Sequence, residues 1–129
     1  MKVTVEHINS GIPKKNFKYY DEFIKYLQKK FPLENDVVIY FLGERIGHMT
    51  TGSRTPKHQL KILSKHRINR DILRTLVHEW VHEYEHMVME YPKGPNIGGR
   101  NENIANIESG IIMKKFEKDY PDLEDWMYQ

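Results

Sequence analysis

The spacing of apolar residues along the chain predicts a small sheet interleaved with and followed by helices. Apolar side chains recur at helical spacing in one early segment and two later ones, and shorter apolar or alternating runs lie between them. The predicted helices cover residues 17–31, 69–91 and 101–118. The predicted strands cover residues 2–8, 37–42, 46–51 and 59–63. This order predicts an α+β domain with a small mixed sheet of three to four strands.

Punctuating residues set the ends of these segments. Pro32 ends the first helix, and Asn69 is a good N-cap for the second. A Pro- and Gly-rich loop at residues 92–99 separates the last two helices. A turn rich in Gly, Ser, Thr and Pro at residues 52–56 joins the third and fourth predicted strands.

Composition narrows the chemistry that the chain can perform. Its 129 residues are the length of one domain, so we expect a single domain over residues 1–129. Because the chain has no cysteine, any metal must be bound by His, Asp or Glu. The longest apolar run, residues 37–42, is too short for a membrane span, and the first residues lack a secretory signal. A cytoplasmic location is therefore expected by default.

Charge is distributed unevenly along the chain. Residues 1–77 carry 15 Lys and Arg against 7 Asp and Glu, whereas residues 78–129 carry 5 against 11. We interpret the two halves as complementary parts of one domain, since no dense basic run is present. A basic nucleic-acid-binding face is the alternative.

The pattern H-E-x-x-H occurs within the second predicted helix, as His78-Glu79-Trp80-Val81-His82. The two histidines lie four residues apart, about one helical turn, so both imidazoles can reach one zinc ion. Glu79 lies one step round the helix, where it can take a proton from a metal-activated water instead of binding the metal. A chance match on a charged helix is the alternative interpretation.

The apolar face of the same helix supports the interpretation as a site. At about 100° per residue, the two histidines and Glu79 lie nearly opposite to the apolar side chains. Those apolar residues are Leu73, Leu76, Trp80, Tyr84, Met87, Val88 and Tyr91. We therefore expect a helix that packs on one side and presents two histidines and a glutamate on the other.

A catalytic zinc site usually has three protein ligands, so a third ligand is required. His86 continues the i, i+4 series, but about 12 Å of helical rise separates it from His78, and no glycine bends the helix back. We therefore prefer a surface or supporting role for His86. Glu102, at the start of the last predicted helix, is the stronger candidate. The other nearby acids are interpreted as solvated charges: Glu83, Glu85, Glu90 and Glu108.

The loop before Glu102 lets the last helix fold back beside the histidines. Small residues on the face of Glu102 permit close approach of two helices: Ala105, Asn106, Ser109 and Gly110. Three isoleucines project to another side and are predicted to be core: Ile104, Ile107 and Ile111. The alternative for Glu102 is a favourable acid in the first turn of a helix, with no part in a site.

These motifs resemble those of the zincin metallopeptidases, in the gluzincin-type branch where a glutamate on a second helix completes the metal site. H-E-W-V-H at 78–82 is similar to the active-site helix, and Glu102-Asn103-Ile104-Ala105-Asn106 is similar to the E-x-x-A-N or E-x-x-A-D form of the glutamate helix. The short chain also resembles the compact ImmA/IrrE-like and SprT-like intracellular zincins. The resemblance implies a zincin-like fold with an N-terminal helix, an active-site helix and a C-terminal glutamate helix.

The resemblance implies a zinc-dependent metalloendopeptidase, with Zn²⁺ as cofactor and a protein or peptide as substrate. It assigns His78, His82 and Glu102 as zinc ligands and Glu79 as the general base that acts on a metal-activated water. SprT-like members take a third histidine instead of the glutamate, which keeps His86 as an alternative ligand.

The resemblance also implies supporting residues. Asn106 stands where thermolysin-like enzymes carry Asp, a position that orients the histidine corresponding to His78. Tyr91 and Arg100, which flank the loop between the helices, are candidate oxyanion donors. Substrate is expected to bind as an extended strand along a sheet edge near residues 46–51, since unpaired strand groups hold an extended backbone.

Two other functions compete with this one. A zincin-shaped binding or regulatory module would retain the metal without cleaving peptides, but an intact Glu79 argues against it. A DNA-associated protease of the SprT kind would be tethered by the basic first half of the chain. Small zincins of this kind are often encoded by mobile elements and act on one partner protein, so the sequence does not name the substrate. It also leaves the oligomeric state open.

Overall fold

The computed structural model describes residues 2–88 and 100–129, which form a four-stranded mixed sheet and four α-helices. The strands are β1 (Val3–Ile8), β2 (Val37–Leu42), β3 (Gly52–Thr55) and β4 (Gln59–Leu63). The helices are α1 (Phe17–Lys30), α2 (Asn69–Val88), α3 (Arg100–Asp119) and α4 (Glu124–Met127). The predicted α+β class and the number of strands are confirmed. Residues 89–91, predicted to continue the second helix, lie outside the described residues.

The sheet has the strand order β1-β2-β4-β3. β2 pairs in parallel with both β1 and β4, and β3 pairs antiparallel with β4 at the edge of the sheet. β2 is therefore an interior strand, as its apolar run predicted, because it pairs with a neighbouring strand on each side.

The predicted strand at residues 46–51 is wrong. This segment consists of turns and bends, with Gly47 at a φ of +64° and the Arg45 Nε donating a hydrogen bond to the Thr50 carbonyl at 2.7 Å. The edge strand follows it instead, as Gly52-Ser53-Arg54-Thr55, in the segment predicted as a turn. These four residues have no apolar alternation, so their strand conformation comes from pairing with β4 and not from local preference.

One face of the sheet is buried against the helices. Ile39, Phe41, Leu60 and Ile62 point to this face and are fully buried. α1 covers it near Tyr20, whose ring lies 5.3 Å from that of Phe41, and α2 lies against β3 and β4. α3 packs in turn on α2, and its Phe116 ring lies 4.7 Å from that of Phe23 in α1.

α2 is enclosed on more sides than the sequence pattern predicts. Leu73, Leu76 and Trp80 are buried, as expected. Val77 and Val81 are buried as well, because α2 lies between the sheet and α3. The expectation of a helix packed on one side only is therefore wrong, and the two histidines are half-buried between helices.

α3 turns a different face to the core from the one predicted. Ile107 and Ile111 are 60% and 52% exposed, so their assignment to the core is wrong. The buried face consists of Ala105, Ser109, Ile112, Met113 and Phe116. This face is set by contact with α2, where small side chains allow close packing, and the apolar pattern of α3 alone does not identify it.

None of the helices in the described parts of the chain is long and apolar enough to cross a membrane.

Candidate metal centre

Two histidines and a glutamate converge between α2 and α3. The Nε2 atoms of His78 and His82 lie 3.1 and 2.6 Å from the Oε1 of Glu102, and 3.2 Å from each other. In a tetrahedral zinc site with bonds of 2.0–2.1 Å, ligand atoms are separated by about 3.3 Å. Two of the three separations are close to this value, and the third, between His82 and Glu102, is shorter.

Local geometry explains how the three residues meet. His78 and His82 lie one turn apart on α2, and Glu102 lies in the first turn of α3, which packs beside them. Within residues 2–88 and 100–129, these three form the one group of acids and histidines close enough to hold a metal, with ligand atoms within 4.8 Å of one another. Two imidazole nitrogens and one carboxylate oxygen are the donor set of many catalytic zinc sites, which keep a fourth position open. The residues present therefore fit a zinc ion.

The protonation states favoured at Glu102 and His82 are those that bind a metal. Burial alone would raise the pKa of Glu102, but the neighbouring His78 and His82 outweigh it and lower the pKa. Burial lowers the pKa of His82, and the nearby His78 lowers it further. Glu102 is thus held as a carboxylate beside an imidazole that favours its neutral form, which is the protonation state that binds a metal.

Glu79 lies beside this group and faces a cleft. Its side chain is only 7% exposed, and it packs under the edge strand at Gly52. Burial raises the pKa of Glu79 to about 7, Glu102 adds to the increase, and Arg54 opposes it. A cation bound by the three ligands would lower this pKa, because an opposite charge favours the carboxylate.

The cleft is formed by the edge strand, α2 and α3, with a volume of about 570 Å³. His78, Glu79 and Glu102 line one part of it, and residues of the segment before β3 line the opposite wall, including Thr50 and Thr51. A molecule in the cleft would therefore contact both the metal ligands and the edge of the sheet.

Two acids of α2 predicted to be solvated are buried, so that prediction is wrong. Glu83 is 1% exposed, and its carboxylate oxygens lie 2.8 Å from the Arg54 Nε and 2.8 Å from the His58 Nδ1. Glu85 is also buried, neither of its carboxylate oxygens has a hydrogen-bond partner in the described residues, and burial raises its pKa to about 7. Glu108 is half-buried, and Glu90 lies outside the described residues. The two partners of Glu83 were missed because they belong to the β3–β4 hairpin, distant in sequence.

Other residues singled out in the sequence lie around the centre. His86 is not in the three-residue group. Asn106 is exposed and lines the cleft, with no hydrogen bond to His78 among the described side chains, so its orienting role stays a prediction. Tyr91 lies outside the described residues. Arg100 begins α3, but its side chain lies outside the described part of the chain.

No family model, curated protein or solved structure matches this chain. The resemblance to zincins therefore stays a prediction, and the argument for function depends on the geometry of the site.

Proposed function

We propose that this protein is a zinc-dependent metallopeptidase. The observation that carries the proposal is the convergence of His78, His82 and Glu102 on one point, with the buried carboxyl of Glu79 on the same cleft. The first three residues would hold the metal and leave one position open towards substrate.

The chemistry would be divided between the metal and Glu79. Zinc, when bound, lowers the pKa of a water molecule and polarises a carbonyl group. Glu79 takes a proton from the attacking water and later donates it to the leaving amine. Its place under the edge strand, 7% exposed, keeps it close to substrate and away from bulk water.

The edge strand offers a place for the peptide. The N–H of Leu63 donates to the carbonyl of Thr51 at 2.8 Å, which makes Thr51 and Leu63 a hydrogen-bonded pair. Pairing alternates along an antiparallel ladder, so the backbone groups of Gly52 and Arg54 point away from β4. An extended substrate would pair with these groups on β3, and not on the segment 46–51 expected from the sequence.

The presence of Glu79 favours catalysis over a silent binding module. A site that serves only to stabilise the fold is normally closed by four protein ligands and needs no carboxyl beside an open position. Among the described residues the group has three potential ligands, and Glu79 lines the same cleft without belonging to that group.

Metal analysis and peptide cleavage test the proposal together. The purified protein should contain one Zn²⁺ per chain and cut members of a proteome-derived peptide library, with cleavage lost on adding a chelator and restored by zinc. His78→Ala and His82→Ala should each lose the zinc, whereas His48→Ala, which alters an exposed histidine outside the group, should retain it. Full zinc content in both ligand variants, or cleavage that a chelator does not affect, would contradict the proposal.

A further inference from the structure

The cleft continues from the metal ligands along α2 towards its beginning, where two arginines line the wall. Arg67 and Arg74 both belong to this part of the cleft, together with Asp71 and Thr75. No carboxylate oxygen of the described residues lies within 4.0 Å of either guanidinium group. Two positive charges without a paired anion therefore face the same space as the candidate zinc ligands.

Arg67 is held firmly in place by uncharged acceptors. Its Nη1 donates to the Leu63 carbonyl at 2.7 Å, and its Nη2 donates to the Asp71 carbonyl at 3.1 Å and to the Thr75 hydroxyl at 3.0 Å. These bonds use three of the five N–H groups of a guanidinium, which leaves two donors. Burial lowers the pKa of Arg67, although Asp71 opposes the change. A half-buried, fixed cation with free donors is well suited to bind an anion.

Arg74 adds a second positive charge to the cleft. Its side chain is exposed and lines the cleft one helical turn before His78. Asp71, also exposed, lines the same cleft and reduces the net charge of this part to one positive unit. Two guanidinium groups on one cleft can bind a carboxylate with up to four N–H donors, which no single lysine could provide.

We propose that this end of the cleft binds a substrate carboxylate, either an acidic side chain or the terminal carboxylate of the peptide, on the C-terminal side of the scissile bond. The position relative to a scissile bond depends on the proposed peptidase function. The carboxylate site itself depends only on Arg67, Arg74 and the cleft that they line.

The direction in which a substrate would run follows from the way β3 lies along α2. Gly52 lies against Thr75 and Glu79, whereas Arg54, two residues later, binds Glu83. The segment before β3 therefore leads towards Arg74 and Arg67. An incoming strand pairs slightly better in the antiparallel sense, so its C-terminal residues run beside Thr50 and Thr51 towards the arginines.

Paired peptides test the inference by binding and by cleavage. The probes are peptides that carry Glu or Gln at one chosen position, each made with a free and with an amidated C-terminus. Zinc-loaded Glu79→Gln protein serves for binding, measured by affinity selection and mass spectrometry, and the parent protein serves for cleavage. We expect about a tenfold preference for the carboxylate over its amide. The two C-terminal forms distinguish the terminal carboxylate from an acidic side chain.

Arg74→Gln should reduce this preference to less than about twofold, and Arg74→Lys should restore part of it, because Lys keeps the charge but lacks the fork. Lys25→Gln is the matched control, since it removes one positive charge from the exposed face of α1, outside the cleft. Thermal unfolding and zinc content of Arg74→Gln should equal those of the parent.

The outcomes separate this inference from the proposed function. Preference for carboxylate peptides without cleavage by the parent would sustain the carboxylate site and refute the peptidase. Cleavage with equal use of Glu and Gln peptides, and of peptides with free and amidated C-termini, would overturn the carboxylate site and leave the peptidase. The inference is also overturned if no preference is found in either assay, or if Lys25→Gln reduces the preference as much as Arg74→Gln does.

Discussion

Glu79 and Glu83 lie one turn apart on α2 and are both buried, yet their surroundings differ. Glu83 is bound by Arg54 and His58 of the β3–β4 hairpin, each at 2.8 Å. The side chain of Glu79 has no hydrogen bond to any of the described residues and lines the cleft beside His78. The same residue type on the same helix therefore fastens the edge strand at one position and remains available to react at the other.

The electrostatics of the two positions explain this difference. Glu83 has an ion pair with Arg54 and a second contact with the His58 ring, and these contacts offset the cost of its burial. Glu79 lacks such contacts, so burial raises its pKa to about 7, and the charge of Glu102 adds to the effect. A carboxyl without a fixed partner is available to exchange a proton with substrate, whereas both oxygens of the Glu83 carboxylate contact the hairpin.

The largest effect is expected for Glu79→Gln, which tests the reactive half of the comparison. Gln keeps the shape but cannot accept the proton, so turnover should fall by about 10²- to 10⁴-fold while zinc content stays at one per chain. The measurement is turnover on the best library peptide, with metal analysis of the same sample. Turnover equal to that of the parent would remove Glu79 from the mechanism.

The next largest effect is expected for the loss of Glu102, the proposed carboxylate ligand. Glu102→Ala should weaken zinc binding by at least about 100-fold, since it removes one of three ligands, whereas His86→Ala should change it little. His86 is the matched comparison because it lies on α2 one turn beyond His82 but outside the converging group. Competition with a chelating dye measures both affinities. The reverse order of effects would favour a three-histidine site of the SprT kind.

Glu83→Gln tests the structural half of the comparison. It removes the buried carboxylate that the partly buried Arg54 guanidinium contacts, so the free energy of unfolding should fall by about 3 kcal/mol. For a domain of this size, the melting temperature should fall by about 10 °C. Urea and thermal unfolding with chelator present measure this without the contribution of zinc. Glu44→Gln is the control, because Glu44 is an exposed acid that forms no ion pair with the described residues. Equal stability of the two variants would mean that the contacts of Glu83 contribute nothing.

Elements with a strong local pattern could be predicted from the sequence. α1 was expected at residues 17–31 and spans Phe17–Lys30, because its apolar face is regular and Pro32 stops it. β2 and β4 have the predicted bounds, since β-branched and apolar runs of five or six residues suit a buried strand.

Features that depend on distant contacts could not be predicted in this way. The polar strand β3 forms through its pairing with β4, and the burial of Glu83 depends on Arg54 and His58, which the hairpin contributes. No period in α3 shows that Ile107 and Ile111 face outwards, because the position of α2 decides which face is covered. At the site, the H-E-x-x-H spacing is local and predicts the two histidines, whereas Glu102 was predicted from the loop before it and from the resemblance, and reaches them through the packing of α3 on α2.

The smallest effect is expected for Gly52→Ala. Gly52 lies in β3, the strand whose Arg54 binds Glu83, and it packs against Glu79. A Cβ added to Gly52 would lie 2.6 Å from the Thr75 Cγ2 and 3.1 Å from the Glu79 Cγ and Oε2. The backbone of Gly52 is not left-handed, so lack of space, and not conformation, requires glycine here. Gly52→Ala must displace Glu79 or the strand, which should cost about 1 kcal/mol of stability and reduce turnover about tenfold, with zinc retained.

Gly110→Ala is the matched control for this substitution. An added Cβ at Gly110 meets no atom within 4 Å, and the residue lies inside α3, where alanine is favoured over glycine by about 0.5–1 kcal/mol. Gly110→Ala should therefore unfold at a higher temperature than the parent with unchanged turnover, while Gly52→Ala moves both quantities downwards. If Gly52→Ala retained parental turnover, the edge strand would not constrain the position of Glu79, and the contrast between the two glutamates would depend on Glu83 alone.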